Sequence, residues 1–83
     1  MFRVRLSPKA RKQLKDLSKQ DKLSIGEIIE DIKDNPLLGK SLGRELINKY
    51  SYRIGVYRVI YTINQEDQIV EIIKSEHRGR IYN

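Results

Sequence analysis

The stretch YSYRIGVYRVIY, Tyr50 to Tyr61, decides how this chain folds. Two runs of aromatic and β-branched residues flank Gly55-Val56, the pattern of a β-hairpin. Glycine at the first central position suits a two-residue type II′ turn, because it takes φ > 0 at little cost. Such a turn sets Ile54 against Tyr57, Tyr52 against Val59 and Tyr50 against Tyr61, all on one apolar face. Arg53 then stands opposite Arg58 on the other face. Like charges directly across a strand pair destabilise a sheet. Either the two arginines hold an anion between them, or both reach into water and pair with acidic neighbours.

Upstream, Phe2, Val4 and Leu6 alternate with Arg3 and Arg5, which reads as a half-buried strand. Ser7-Pro8 then supplies an N-cap and a proline at the first helical position. Ala10, Leu14 and Leu17 recur at helical spacing, ringed by Lys9, Arg11, Lys12, Lys15 and Lys19. Those cations form either a solvated face or a contact surface for a polyanion. Ser18 to Asp21 breaks the helix. Asp21 or Ser24 is expected to cap the next one, Ser24 with Glu27 having capping-box spacing. Ile25, Ile28, Ile29 and Ile32 form an apolar stripe. Asn35-Pro36 ends this helix, since the residue before proline avoids the α region.

Residues 36–49 read as a loop with Gly39 and Gly43, and a short strand is expected at Glu45 to Ile47. Downstream of the hairpin, Asn64 to Gln68 is a polar turn. Ile69 to Ser75 is a strand apolar on both faces, hence central or well covered. Helices grouped ahead of a strand meander indicate an α+β fold: a two-helix hairpin, residues about 8–34, on one face of a small antiparallel β-sheet, in the order β-α-α-β-β-β. Arg53 and Arg58 should project from the uncovered face. The 83 residues suffice for one domain over residues 1–83.

Composition narrows the function classes. No cysteine is present, which excludes disulfides and thiolate metal sites, and one histidine offers no ligand cluster, so no metal and no cofactor are expected. No apolar run spans a bilayer and the N-terminus does not resemble a signal peptide, so a cytoplasmic protein is expected, with no membrane partner. Seventeen Lys and Arg against eleven Asp and Glu leave +6, which points to a polyanionic partner, nucleic acid or acidic protein.

The sequence resembles the RelE/ParE superfamily of toxins from type II toxin–antitoxin systems, and specifically its RelE-like members. The likeness runs from SPKA at Ser7 to Ala10, through NP at Asn35-Pro36 with Gly39 just after, to YRIGVYRVIY at Tyr52 to Tyr61 and HRGRIY at His77 to Tyr82. Val56 departs from the polar or acidic turn residue usual there. With Asn83 last, a C-terminal helix is expected to be very short.

The resemblance implies a metal-independent mRNA endoribonuclease acting in the ribosomal A site and silenced by a cognate antitoxin. It implies attack of a ribose 2′-OH on the adjacent phosphate, with a 5′-OH leaving. Arg58 falls at the phosphate-clamping arginine and Arg53 at a position that is lysine or arginine in active members. Arg78 and Tyr82 match the basic residue and tyrosine of the C-terminal catalytic segment, and His77 is a candidate base. Arg44 falls near a basic loop residue that holds RNA. Lys40, Lys49 and Arg80 are the further RNA-binding candidates. The partners implied are the antitoxin, the ribosome with mRNA, and operator DNA reached through the antitoxin complex. The competing readings are a ParE-like inhibitor of DNA gyrase and an inactive module that only binds antitoxin or DNA.

Overall fold

In the computed structural model, residues 1–43 and 48–78 are described. They form β1 (Arg3–Leu6), α1 (Pro8–Asp16), α2 (Lys19–Asp34), a 3-10 turn (Pro36–Leu38), β2 (Lys40–Ser41), β3 (Lys49–Ile54), β4 (Tyr57–Asn64) and β5 (Ile69–His77). The expected strand at Glu45 to Ile47 lies outside the described residues.

The hairpin register is the one the turn dictates: Ile54 with Tyr57, Arg53 with Arg58, Tyr52 with Val59, Tyr50 with Tyr61. Gly55 has φ 59°, while Val56 is not among the residues with positive φ, the combination a type II′ turn requires. The helices cover the aromatic face. Val59 and Tyr61 are buried among Ile25, Ile28 and Ile32 of α2, Ala10 of α1 and Val70 and Ile72 of β5. Burial of each large aliphatic side chain contributes about 1.5–3 kcal/mol, so this one layer is the main source of stability. The cover ends before the hairpin tip, where Ile54 and Val56 are exposed.

Two helix boundaries follow the sequence and one does not. The Ser7 hydroxyl accepts from the Ala10 amide at 3.0 Å, with Pro8 in the first turn of α1. Asn35 closes α2 ahead of Pro36. Neither Asp21 nor Ser24 is the cap of α2, however. Ser18 caps it, accepting from the Asp21 amide at 3.1 Å. The helix therefore starts a turn earlier than expected, and Ser24 sits inside it. The loop reading of residues 36–49 also missed β2, which pairs Lys40 with Ser51 and Ser41 with Tyr50.

The α+β class with two helices on one sheet face is as expected, but the sheet is mixed. Its strand order is β1-β5-β4-β3-β2. β2 to β5 form an antiparallel meander, and β1 pairs with β5 in parallel. Three reversals from β2 leave β5 running in the direction of β1. β5 is thus an interior strand along residues 69–72, which accounts for its apolar run.

A bulge then changes the side-chain parity of β5. Tyr61 pairs with Ile72 but Ile60 pairs with Lys74, leaving Ile73 as the extra residue. Before the bulge, Val70 and Ile72 face the helices. After it, Ser75 and His77 do, opposite Val59 and Tyr57. Lys74 and Glu76 are turned to the uncovered face. α1 satisfies the bulged backbone: the Ser7 hydroxyl donates to the Ile73 carbonyl at 2.6 Å, and the Ser75 amide donates to Gln13 Oε1 at 2.9 Å. This explains why Gln13, a polar residue, is buried.

Candidate functional site

The uncovered sheet face is cationic because alternation in every strand places its charges there. Arg3 and Arg5 come from β1, Lys40 from β2, Lys49 and Arg53 from β3, Arg58 from β4 and Lys74 from β5. Among the described residues of the strands, only Glu71 and Glu76 oppose them on this face. Glu71 forms an ion pair with Arg5, with one carboxylate oxygen 3.3 Å from Nε. Glu76 lies 3.4 Å from Lys74 Nζ and 3.9 Å from an Arg58 guanidinium nitrogen. The acidic-neighbour reading of the arginine pair thus holds weakly for Arg58. For Arg53, no ion pair forms among the described residues.

Three of these cations meet at an open cavity of about 330 Å³ at the end of β5. Arg53, Arg58, Lys74 and Glu76 line it from the uncovered face. Tyr57, Ser75 and His77 line it from the helix side, with Lys9 and Gln13 of α1 beyond them and Val56 and Arg78 at the tip. β1 ends at Leu6, opposite Ile72, so the outer edge of β5 beyond that point carries no strand. The cavity wraps over this edge and reaches both layers. Arg78 is tied to the hairpin by its amide, which donates to the Val56 carbonyl at 2.7 Å.

The sequence candidates divide accordingly. Arg53, Arg58, His77 and Arg78 meet in one cavity, although His77 approaches from the helix layer and the two arginines from the other side. The His77 ring packs edge-on against Tyr57, with centroids 5.2 Å apart and planes at 88°. Lys40 and Lys49 share the cationic face but lie outside the cavity. Arg44, Arg80 and Tyr82 lie outside the described residues. Sequence reasoning missed Lys9, Lys74 and Glu76 as cavity residues. The sequence groups Lys9 with the basic surface of α1, and strand alternation counted without the bulge puts Lys74 and Glu76 beneath the helices. No cluster of three or more His, Cys, Asp or Glu with metal-holding geometry occurs among the described residues. No helix among them is long and apolar enough to cross a membrane.

One further group anchors the site from behind. The Tyr61 hydroxyl donates to the Pro36 carbonyl at 2.5 Å and accepts from the Gly39 amide at 2.9 Å. Burial pushes its phenol above the ordinary value of 10.0. These bonds fasten the segment after α2 to the middle of β4, on the strand that carries Arg58.

Fold and charge layout together define a small two-layer α+β domain with a cationic sheet face and an open cationic cavity at its rim. Comparison with known proteins gives that domain a family. Residues 4–82 match the family model described as the ParE toxin of the type II toxin-antitoxin system, parDE. The chain is 36% identical to toxin RelG of Mycobacterium tuberculosis, over 98% of this chain and 95% of that one. The toxin–antitoxin complex RelBE2 of the same organism contains a chain that superposes with a TM-score of 0.84 at 35% identity, covering 93% of this chain and 98% of that one. The isolated RelE toxin of E. coli has a TM-score of 0.82 at 16% identity, covering 98% and 88%, a likeness of fold alone. The chain belongs to the RelE/ParE superfamily of type II toxins.

Proposed function

We propose that this toxin is a ribosome-dependent, metal-independent mRNA endoribonuclease of the RelE type. The observation that carries the reading is the cross-strand pair Arg53–Arg58, in direct register at a cavity that Arg78 and His77 also line. The unfavourable charge pairing has a use if a phosphate sits between the guanidinium groups.

In the reaction, a ribose 2′-oxygen attacks the adjacent phosphorus and the P–O5′ bond breaks, leaving a cyclic 2′,3′-phosphate and a 5′-OH. One proton leaves the 2′-OH and one arrives on the 5′-oxygen. Charge builds on the non-bridging oxygens as the phosphorus becomes five-coordinate. Cations placed there beforehand stabilise this state more than the substrate. Arg58 is assigned to clamp the phosphate, with Arg53 and Arg78 supplying further charge. His77 is assigned to proton transfer, the role histidine fills near neutral pH. Tyr82, by family resemblance, acts with the same C-terminal segment. Lys40 and Lys49 extend a path for the RNA backbone along the sheet face, and Arg44 and Arg80 are assigned to RNA binding from sequence alone.

The partner that holds the toxin silent is a cognate antitoxin in the cytoplasm. Relatives crystallised in such complexes, from Mycobacterium tuberculosis and Pyrococcus horikoshii, support it. Operator DNA is reached through that complex. The match to the ParE family model favours a second reading, inhibition of DNA gyrase. A translating extract supplied with supercoiled plasmid separates the two. Cut mRNA with intact plasmid is the expected result. Cleaved plasmid with intact mRNA would give the gyrase reading, and neither would reduce the chain to a binding module.

A further inference from the structure

We infer that Asp21 and Tyr57 are positioning residues that set the His77 imidazole from the opposite layer of the fold. Asp21 occupies a place in α2 where the helical period calls for an apolar residue, since it precedes Ile25, Ile28 and Ile32 at spacings of four, seven and eleven. It is nevertheless a carboxylic acid side chain and only 4% exposed. Withdrawing a carboxylate from water costs several kcal/mol unless it is well partnered. The first turn of α2 offsets part of that through the helix dipole. The Tyr57 hydroxyl supplies a partner, donating to Asp21 Oδ1 at 2.6 Å across 36 positions of sequence.

That bond fixes one end of the Tyr57 ring. The body of the ring meets His77, its direct cross-strand neighbour, edge-on at 5.2 Å. A tyrosine pinned at its hydroxyl cannot pivot out of this contact, so the imidazole plane is held by a ring that is itself held by α2. Tyr57 and His77 line the cavity whereas Asp21 does not. Asp21 therefore acts through Tyr57. Around His77 the other charged lining groups are Lys9, Lys74, Glu76, Arg78 and the two strand arginines, none of which the variants below change. The catalytic arm of the test rests on the endoribonuclease reading, and the spectroscopic arm does not.

His77 is the one histidine of the chain, so its ring carbons and protons can be read by NMR without assignment ambiguity. Asp21→Leu and Tyr57→Phe are the variants, the first removing the acceptor of the Tyr57 hydroxyl and the second keeping the ring and removing the hydroxyl. Both are expected to move the His77 ring resonances toward those of the unfolded chain. Both are also expected to slow single-turnover mRNA cleavage by about 10²-fold, the scale of a misplacement near 1 Å, with ribosome affinity unchanged. If Asp21→Leu fails to fold, Tyr57→Phe alone decides. Resonances at their parental positions in the folded variants, whether or not cleavage slows, would overturn the inference. A parent that cuts no RNA would instead sink the endoribonuclease reading, and the resonances would still judge Asp21 and Tyr57.

Discussion

Arg58→Ala should separate catalysis from folding more cleanly than any other single change. The stability side can be worked from the structure. Arg58 lies in register with Arg53, and its ion pair with Glu76 is long, 3.9 Å, with both side chains nearly half exposed, 45% and 44%. Exposed pairs of this kind contribute about 0–1 kcal/mol. Removing Arg58 also relieves the like-charge apposition with Arg53, and Glu76 keeps Lys74 at 3.4 Å. The net change in stability should stay below about 1 kcal/mol, or a few degrees in Tm for a domain of this size. The catalytic side is larger. Loss of one preorganised donor to a developing oxyanion costs about 10²–10³ in rate, roughly 2.7–4 kcal/mol. Arg58→Lys should recover only part of this, because an ammonium cannot reproduce the two-pronged guanidinium grip. The assay is single-turnover cleavage of ribosome-bound mRNA beside a binding titration, with circular dichroism and thermal melting as fold controls. An Arg58→Ala protein that melts like the parent and cuts at the parental rate would refute the assignment and bring the gyrase reading forward.

Three further outcomes concern the scaffold. Tyr61→Phe strands the Pro36 carbonyl and the Gly39 amide and should cost about 1–3 kcal/mol in thermal or denaturant unfolding. Because burial raises the Tyr61 pKa, the folded state keeps the phenol proton at a pH where the unfolded chain loses it. The corresponding stability is whole below about pH 10 and falls as pH rises through that value toward the folded pKa; the Phe variant should lack this component of the alkaline decline. Gly39→Ala would drive a methyl group into the Tyr61 hydroxyl, and urea unfolding should show a loss of about 1–3 kcal/mol. Gln13→Ala removes the acceptor for the buried Ser75 amide. It should lower stability by about 1–3 kcal/mol and speed hydrogen exchange at Ser75, and unchanged exchange there would argue against the role given to Gln13.

What the sequence determined by itself is local. Gly55 at the turn sets the hairpin register, and with it the facing of Arg53 and Arg58. The 3.6-residue period sets the stripes Ala10–Leu14–Leu17 and Ile25–Ile28–Ile32. Ser7-Pro8 and Asn35-Pro36 mark helix ends, because capping and proline sterics act within a few residues. Family resemblance marks out His77 and Arg78, but their meeting in one cavity with the arginine pair is not readable from spacing. The tertiary structure decided what depends on strands and layers distant in sequence. The parallel pairing of β1 with β5 follows from the path of the whole meander. The extra residue Ile73 exists only in the register of β5 against β4, with Ser7 and Gln13 of α1 to satisfy its neighbourhood. That one insertion turns Lys74 and Glu76 out to the cationic face and His77 in toward Tyr57 and α2. A period of two read along β5 cannot contain it, because a bulge is a property of two paired strands and not of either one.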